Sequence, residues 1–310
     1  MPRALPADYR SKVEKPADFD AFWGDVLRQA SSIPLEPEVV PDPLRTSDDI
    51  ETFQVFYSSI DHVRIAAWYC RPARRDARAP AIMLLPGYQM DPPIPKEWAR
   101  KGYAALSVAP RGKLRSNRQF NPGYPNLLTY NIVDRHTYAY RGFYVDTWRG
   151  LDFLLSRPEV EPTRIGVTGS SQGGGLTITT AAMRPEVRAA AAGAPYLCGF
   201  MDAIALTHTY PYEEINDYLR RYPDSRQQVA DTVAYFDGIN FADKITCPII
   251  VNIGLQDNVC PPEAGYALFN KICATDKQLY TYNGHGHDAG RAKHNAIVDQ
   301  FFAHHLLAER

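Results

Sequence analysis

The chain reads as an α/β protein with a doubly wound, mostly parallel central sheet. Three observations predict this fold. Short continuous apolar runs at 81–85, 104–109, 164–168 and 248–255 have the character of strands buried on both faces. Helical stretches alternate with them, as crossover connections between parallel strands require. One serine framed by glycines, Gly169-Ser170-Ser171-Gln172-Gly173, falls where a strand hands over to a helix. At 310 residues the chain is within the size of one large domain, and such a domain buries roughly three quarters of its unfolded surface without disulfide or metal staples. We therefore expect residues 1–310 to form one domain, with 1–45 as a helical extension packed on it and 198–240 as a cap-like helical insertion.

The elements follow in order. Phe19, Phe22, Trp23, Val26 and Leu27 recur at i, i+3, i+4, i+7 and i+8 behind Pro16-Ala17-Asp18, an amphipathic helix. Two β-like runs, 53–60 and 63–70, flank Asp61-His62 as a hairpin. The strand at 81–85, a helix at 95–101 and a strand at 104–109 come next. A long irregular stretch at 111–138, rich in Asn, Pro, Gly and Tyr, has the length of a functional or interface loop. A helix at 145–155, a strand at 164–168, a helix after Gln172 and an alanine-rich strand near 188–192 resume the alternation. Strands at 248–255 and 277–282 follow the tyrosine-rich 198–240 region. The last helix, about 292–306, sets Ile297, Val298, Phe301 and Phe302 on one face.

Charge narrows the function. Lys+Arg is 34 against Asp+Glu 35, a net charge of −1. That balance speaks against binding nucleic acid by counterion release and against a polybasic membrane anchor. No apolar run reaches the ~18 residues of a membrane-spanning helix, and the N-terminus has no signal-peptide-like apolar stretch. The five cysteines (70, 198, 247, 260 and 273) are odd in number and form no CxxC pair, so we expect buried thiols and no metal. The expected location is the cytoplasm.

The chemistry concentrates at Ser171. Gly169, Ser171 and Gly173 make a G-x-S-x-G between predicted strand and helix, the sequence of a nucleophile elbow. Such a turn lifts the serine hydroxyl off the sheet, and the next backbone N–H, that of Gln172, points to the same place. A serine hydroxyl needs a histidine base, and the base needs an acid to hold its tautomer. In α/β hydrolases the chain order is Ser, then Asp or Glu, then His. Asp257 follows the 248–255 strand in that order. A histidine follows the 277–282 strand in Asn283-Gly284-His285-Gly286-His287-Asp288, where both His287 and His285 qualify. The second oxyanion donor is expected from the loop after 81–85, at the backbone N–H of Tyr88. Asp257 could instead cap a helix ahead of Pro261-Pro262.

These residues, with several other segments, resemble a known family. The segments are Asp18–Trp23, Ala109-Pro110-Arg111-Gly112-Lys113, 134–141, 169–175, Pro195-Tyr196-Leu197-Cys198, 210–215, 235–241 and 254–262. Together they are similar to the cephalosporin C deacetylase / acetyl xylan esterase group of α/β hydrolases, carbohydrate esterase family 7. The resemblance implies a cofactor-free serine esterase that removes acetyl groups from xylo-oligosaccharides and from small molecules such as cephalosporin C. It implies the triad Ser171, Asp257 and His287 (or His285), with oxyanion amides at Tyr88 and Gln172. It also implies a homo-oligomer, a doughnut-like hexamer with inward-facing sites. Arg111 and Gly112 belong to the family's Arg-Gly-Gln, which reads Arg-Gly-Lys here. His-Gly-Tyr reads Pro86-Gly87-Tyr88, and His-Glu reads His287-Asp288. The competing readings are a general short-chain carboxylesterase or a peptidase on the same fold, and a catalytically silent hydrolase fold that only binds.

Overall fold

The computed structural model describes residues 6–74 and 77–308; the first five residues of the N-terminal extension, with the leader reading that rests on them, lie outside the described residues. Nine strands form one sheet: Glu38–Pro41 (β1), Ile50–Ser58 (β2), Arg64–Pro72 (β3), Ala79–Leu85 (β4), Ala104–Ala109 (β5), Val160–Ser170 (β6), Val187–Gly193 (β7), Ile249–Gly254 (β8) and Lys277–Tyr282 (β9). Their order across the sheet is β1-β2-β3-β5-β4-β6-β7-β8-β9. From β5 to β9 every pairing is parallel, and β1, β2 and β3 add an antiparallel flank. The expected doubly wound α/β-hydrolase architecture is the observed one.

The topology decides where a site can form. From β4 the chain moves to β5 on one side and later returns to β6 on the other. Winding therefore reverses between β4 and β6, and ligands in open α/β sheets bind outside the carboxyl ends of the strands at such a switch point. Leu85, the last residue of β4, pairs with Gly169 of β6. The loop after β4 and the turn after β6 are thus neighbours by construction.

The helices are Phe19–Ser32 (α1), Lys96–Arg100 (α2), Ala139–Leu155 (α3), Gln172–Met183 (α4), Phe200–Leu206 (α5), Glu213–Arg221 (α6), Arg226–Val233 (α7), Gly238–Phe241 (α8), Pro262–Lys271 (α9) and Arg291–Phe302 (α10). Helix α1 buries Phe19, Phe22, Trp23, Val26 and Ala30. Trp23 packs against Tyr144 and Trp148 of α3 and against Phe236 and Phe241, and its indole N–H donates to Tyr235 O at 2.8 Å. Between β7 and β8 the chain forms α5 to α8. Among the described residues no helix is long and apolar enough to cross a membrane.

Several boundaries differ from the sequence expectation. Helix α3 starts at Ala139 rather than 145, because Tyr138, Tyr140, Phe143 and Tyr144 are all buried and leave no polar face to mark a start. Strand β2 ends at Ser58; the hairpin closes through a 3₁₀ turn in which Asp61 and His62 take φ of +61° and +56°. Strand β1, four mostly exposed residues on the sheet edge, is too short for its two valines to show a strand period. Helix α9, which the sequence offered only as the alternative setting for Asp257, starts at Pro262, a residue that favours the first helical position.

Candidate active site

Ser171 sits at the end of β6 with φ +60° and ψ −122°, a conformation that few non-glycine residues adopt. It is fixed from both sides: its N–H donates to Gly193 O at 2.9 Å, and its carbonyl accepts from Tyr196 N at 3.0 Å and Gly175 N at 3.1 Å. The flanking glycines are there because α4 crosses directly against β4. A Cβ on Gly173 would lie 2.1 Å from Leu85 O, and one on Gly169 would lie 2.6 Å from the same oxygen. Only hydrogen fits in either place, so the G-x-S-x-G spacing is a packing requirement here.

The loops after β8 and β9 bring an acid to a base. Asp257 is buried, and its Oδ1 accepts from the N–H groups of Val259 at 2.8 Å and Cys260 at 2.9 Å. Its Oδ2 lies 2.8 Å from His287 Nδ1. The His287 side chain is 33% exposed while that of Asp257 is 1% exposed, so the imidazole faces the cleft and the carboxylate is shielded behind it. His285 is paired instead with Asp288, Nδ1 to Oδ2 at 2.6 Å. Of the two histidines, His287 is therefore the one joined to Asp257. Asp257 is not the cap of α9, whose first turn opens at Pro261-Pro262. The close approach of the two loops again needs a glycine: a Cβ on Gly254 would meet Gly286 O at 1.9 Å.

Two backbone N–H groups, those of Tyr88 and Gln172, are left without an acceptor among the described residues. Side chains hold both residues. The Gln172 amide accepts from the Tyr140 hydroxyl at 2.9 Å and donates to Pro86 O at 3.5 Å, which ties the start of α4 to the loop after β4. The Tyr88 hydroxyl donates to Glu214 of α6 at 2.7 Å and accepts from Leu128 N at 2.9 Å. Burial pushes Glu214 up to about 7 and the Tyr88 phenol well up as well, so the phenol stays neutral and serves as an anchor.

Ser171 and His287 line one cleft of about 580 Å³, together with Gly87, Met90, Asp91 and Trp98. A larger cavity, about 800 Å³, lies between the 12–17 segment, the 133–136 loop and α7. It holds neither Ser171 nor His287, and we take the smaller cleft as the site.

The acetyl xylan esterase (AXE1) family model matches residues 4–305. The chain belongs to this family. It is similar to the acetyl esterase Axe7A of Xylanibacter ruminicola, 29% identical over 283 residues, 86% of this chain and 63% of that protein. The chain thus spans less than two thirds of that relative's length. Among solved structures it is similar to an acetyl xylan esterase from Paenibacillus sp. R4, with TM-score 0.91 and 33% identity over 99% of this chain and 100% of that one. It is also similar to acetyl xylan esterase 1 from Thermoanaerobacterium sp. JW/SL YS485, with TM-score 0.89 and 26% identity over 98% of each chain.

Within this acetyl xylan esterase family chain, Arg111 and Gly112 lie beneath the site rather than in it. Arg111 is buried; its guanidinium meets both carboxylate oxygens of Asp146, at 2.9 and 3.0 Å, and donates to Ile60 O at 2.9 Å. Gly142 of α3 leaves room for it, since a Cβ there would lie 2.1 Å from the guanidinium carbon. Gly112 takes φ +81° and turns the chain toward Lys113. Two residues near the site were missed by sequence reasoning. Glu214 lies in the 210–215 segment of the resemblance, but nothing along the chain says what it touches; only the fold brings α6 to Tyr88. Cys260 was read as a plain buried thiol, yet its sulfur lies within 4.8 Å of ligand atoms of Asp257 and His287. These three form a donor set of metal-binding type. Burial pushes the Cys260 thiol well up, however, and a protonated sulfur is a poor metal ligand.

Proposed function

We propose that this protein is a serine esterase that hydrolyses acetyl esters of small carbohydrates, xylo-oligosaccharides in particular, and of similar small molecules such as cephalosporin C. The observation that carries this reading is the convergence on one cleft of a positive-φ serine and a histidine paired with a buried aspartate. The unpartnered N–H groups of Tyr88 and Gln172 support it. So does family membership.

The steps follow from the chemistry of these groups. His287 takes the Ser171 hydroxyl proton as Ser171 Oγ attacks the ester carbonyl carbon. Asp257 holds the His287 tautomer and stabilises the imidazolium. The N–H groups of Tyr88 and Gln172 donate to the developing oxyanion, and each such donor is worth on the order of 10²–10³ in turnover. Collapse expels the alcohol, which leaves with the proton from His287. Water then attacks the acetyl-enzyme with His287 again as base, and acetate is released. No cofactor is needed for any step.

A cleft of about 580 Å³ suits a small alcohol better than a polymer chain. The five unpaired cysteines suit a reducing compartment, and we assign the protein to the cytoplasm. A homo-oligomer, a hexamer, belongs to the same reading; a light-scattering mass equal to one chain at assay concentration removes it.

The test is p-nitrophenyl ester hydrolysis over acyl chains of two to eight carbons, with wild type and Ser171→Ala. Acetate should be fastest and the alanine variant inactive. Faster turnover of longer chains would replace the deacetylase with a general carboxylesterase. No turnover on any chain would leave the fold as a binding protein.

A further inference from the structure

The loop after β4 is gripped by a cation that has no anion bound to it. Lys113 is 5% exposed, and its ammonium donates to Gly87 O at 2.7 Å and to Tyr88 O. The charge that reaches it is that of Asp91 on the same loop, without a direct ion pair among the described residues. The other groups around it are the Tyr88 ring, 5.9 Å from the ammonium, and Glu214, which accepts from the Tyr88 hydroxyl. Arg115, two residues further along, also feels Asp91 and is stacked on Trp68. A buried ammonium held only by carbonyls is costly, and proteins keep such groups rarely.

The carbonyls it holds are telling. Gly87 O and Tyr88 N–H belong to one trans peptide unit, so they point in opposite directions and turn together. A charge-assisted bond to that oxygen fixes the N–H and polarises it. We infer that Lys113 is a positioning residue for ester turnover. By holding Gly87 O and Tyr88 O, its ammonium keeps the Tyr88 N–H aimed at the developing oxyanion, and turnover needs that ammonium charged. This rests on the proposed role of the Tyr88 amide as an oxyanion donor.

Burial lowers Lys113 to about 7. A lysine is charged below its pKa and neutral above it, so the grip weakens as pH rises through about 7. A glutamine, which the family resemblance expects at this position, donates a hydrogen bond but has no charge to lose.

The experiment measures kcat and KM for p-nitrophenyl acetate between pH 5 and 9.5 in wild type, Lys113→Gln and Lys113→Met, with Ser171→Ala as the blank. Wild-type kcat should fall along an alkaline limb that begins near pH 7. Lys113→Gln should stay within about tenfold of the wild-type maximum and lose that limb. Lys113→Met should lose about ten- to hundredfold in kcat at every pH, with KM changed less than about threefold, as for a weakened oxyanion donor. An alkaline limb retained in Lys113→Gln, or a wild-type kcat in Lys113→Met, overturns the inference while the esterase reading stands. If Lys113→Met does not fold, the limb in Lys113→Gln decides alone. If wild type does not exceed the blank, both readings fall together.

Discussion

At Ser171 the backbone stores strain of order 1–3 kcal/mol that only its surroundings hold in place. Asp257 and His287, which shares the cleft with Ser171, can be separated by single substitutions. Asp257→Asn keeps the shape and the bonds to Val259 and Cys260 N–H while it removes the charge behind His287. We expect kcat to fall about 10⁴-fold with the melting temperature little changed, as steady-state kinetics and calorimetry would show. The two histidines should part company in the same assay. His287→Asn should lose at least about 10³-fold. His285→Asn, which breaks only the contact with Asp288, should lose less than about tenfold. Comparable losses in both would mean that His287 is not the base.

Between elements, the tightest constraint is α4 against β4. Gly173→Ala would set a methyl group 2.1 Å from Leu85 O, main chain that cannot move without shifting the central strand. A destabilisation of at least about 2 kcal/mol should appear in urea unfolding, with loss of activity even in the folded fraction. Helix α1 is held differently, by one large side chain. Trp23 is fully buried among five aromatic rings and carries its own hydrogen bond. Trp23→Ala should cost about 3–5 kcal/mol in the same measurement. A cost below about 1 kcal/mol would mean that the N-terminal helix is not part of the folding unit.

For the whole molecule, Glu214 of α6 joins the helical segment to the loop after β4 and to the 111–138 loop through Tyr88 and Leu128. Its pKa is raised in the folded state, from an ordinary 4.5 to about 7, chiefly by burial. Between those values the folded protein binds more protons than the unfolded chain. The stability from this group is therefore fully present below about pH 4.5 and is lost as pH rises through about 7. Glu214→Gln removes that titration. The melting temperature of the variant should gain on wild type between pH 5 and 8, by differential scanning calorimetry in matched buffers. A constant difference between the two proteins across that range would show that Glu214 does not titrate there.

The alternation of apolar runs was enough for a doubly wound fold, because parallel strands buried on both faces have no other composition. The G-x-S-x-G was legible because an elbow cannot be built without glycines where α4 meets Leu85 O. Asp257 and the histidine loop were legible as types in order, each just past a strand. What the chain could not decide by itself was geometry between distant segments. His285 and His287 are two residues apart and share one local pattern; only the packing of the β8 and β9 loops, tight at Gly254 and Gly286, turns His287 toward Asp257. Glu214 and Lys113 likewise lie in segments of the resemblance, but nothing along the chain says which groups they touch. Their roles arise because the reversal of winding between β4 and β6 draws α6, the 111–113 turn and the loop after β4 to one place. Contacts between residues that far apart in sequence leave no period or spacing behind, and only the tertiary structure shows them.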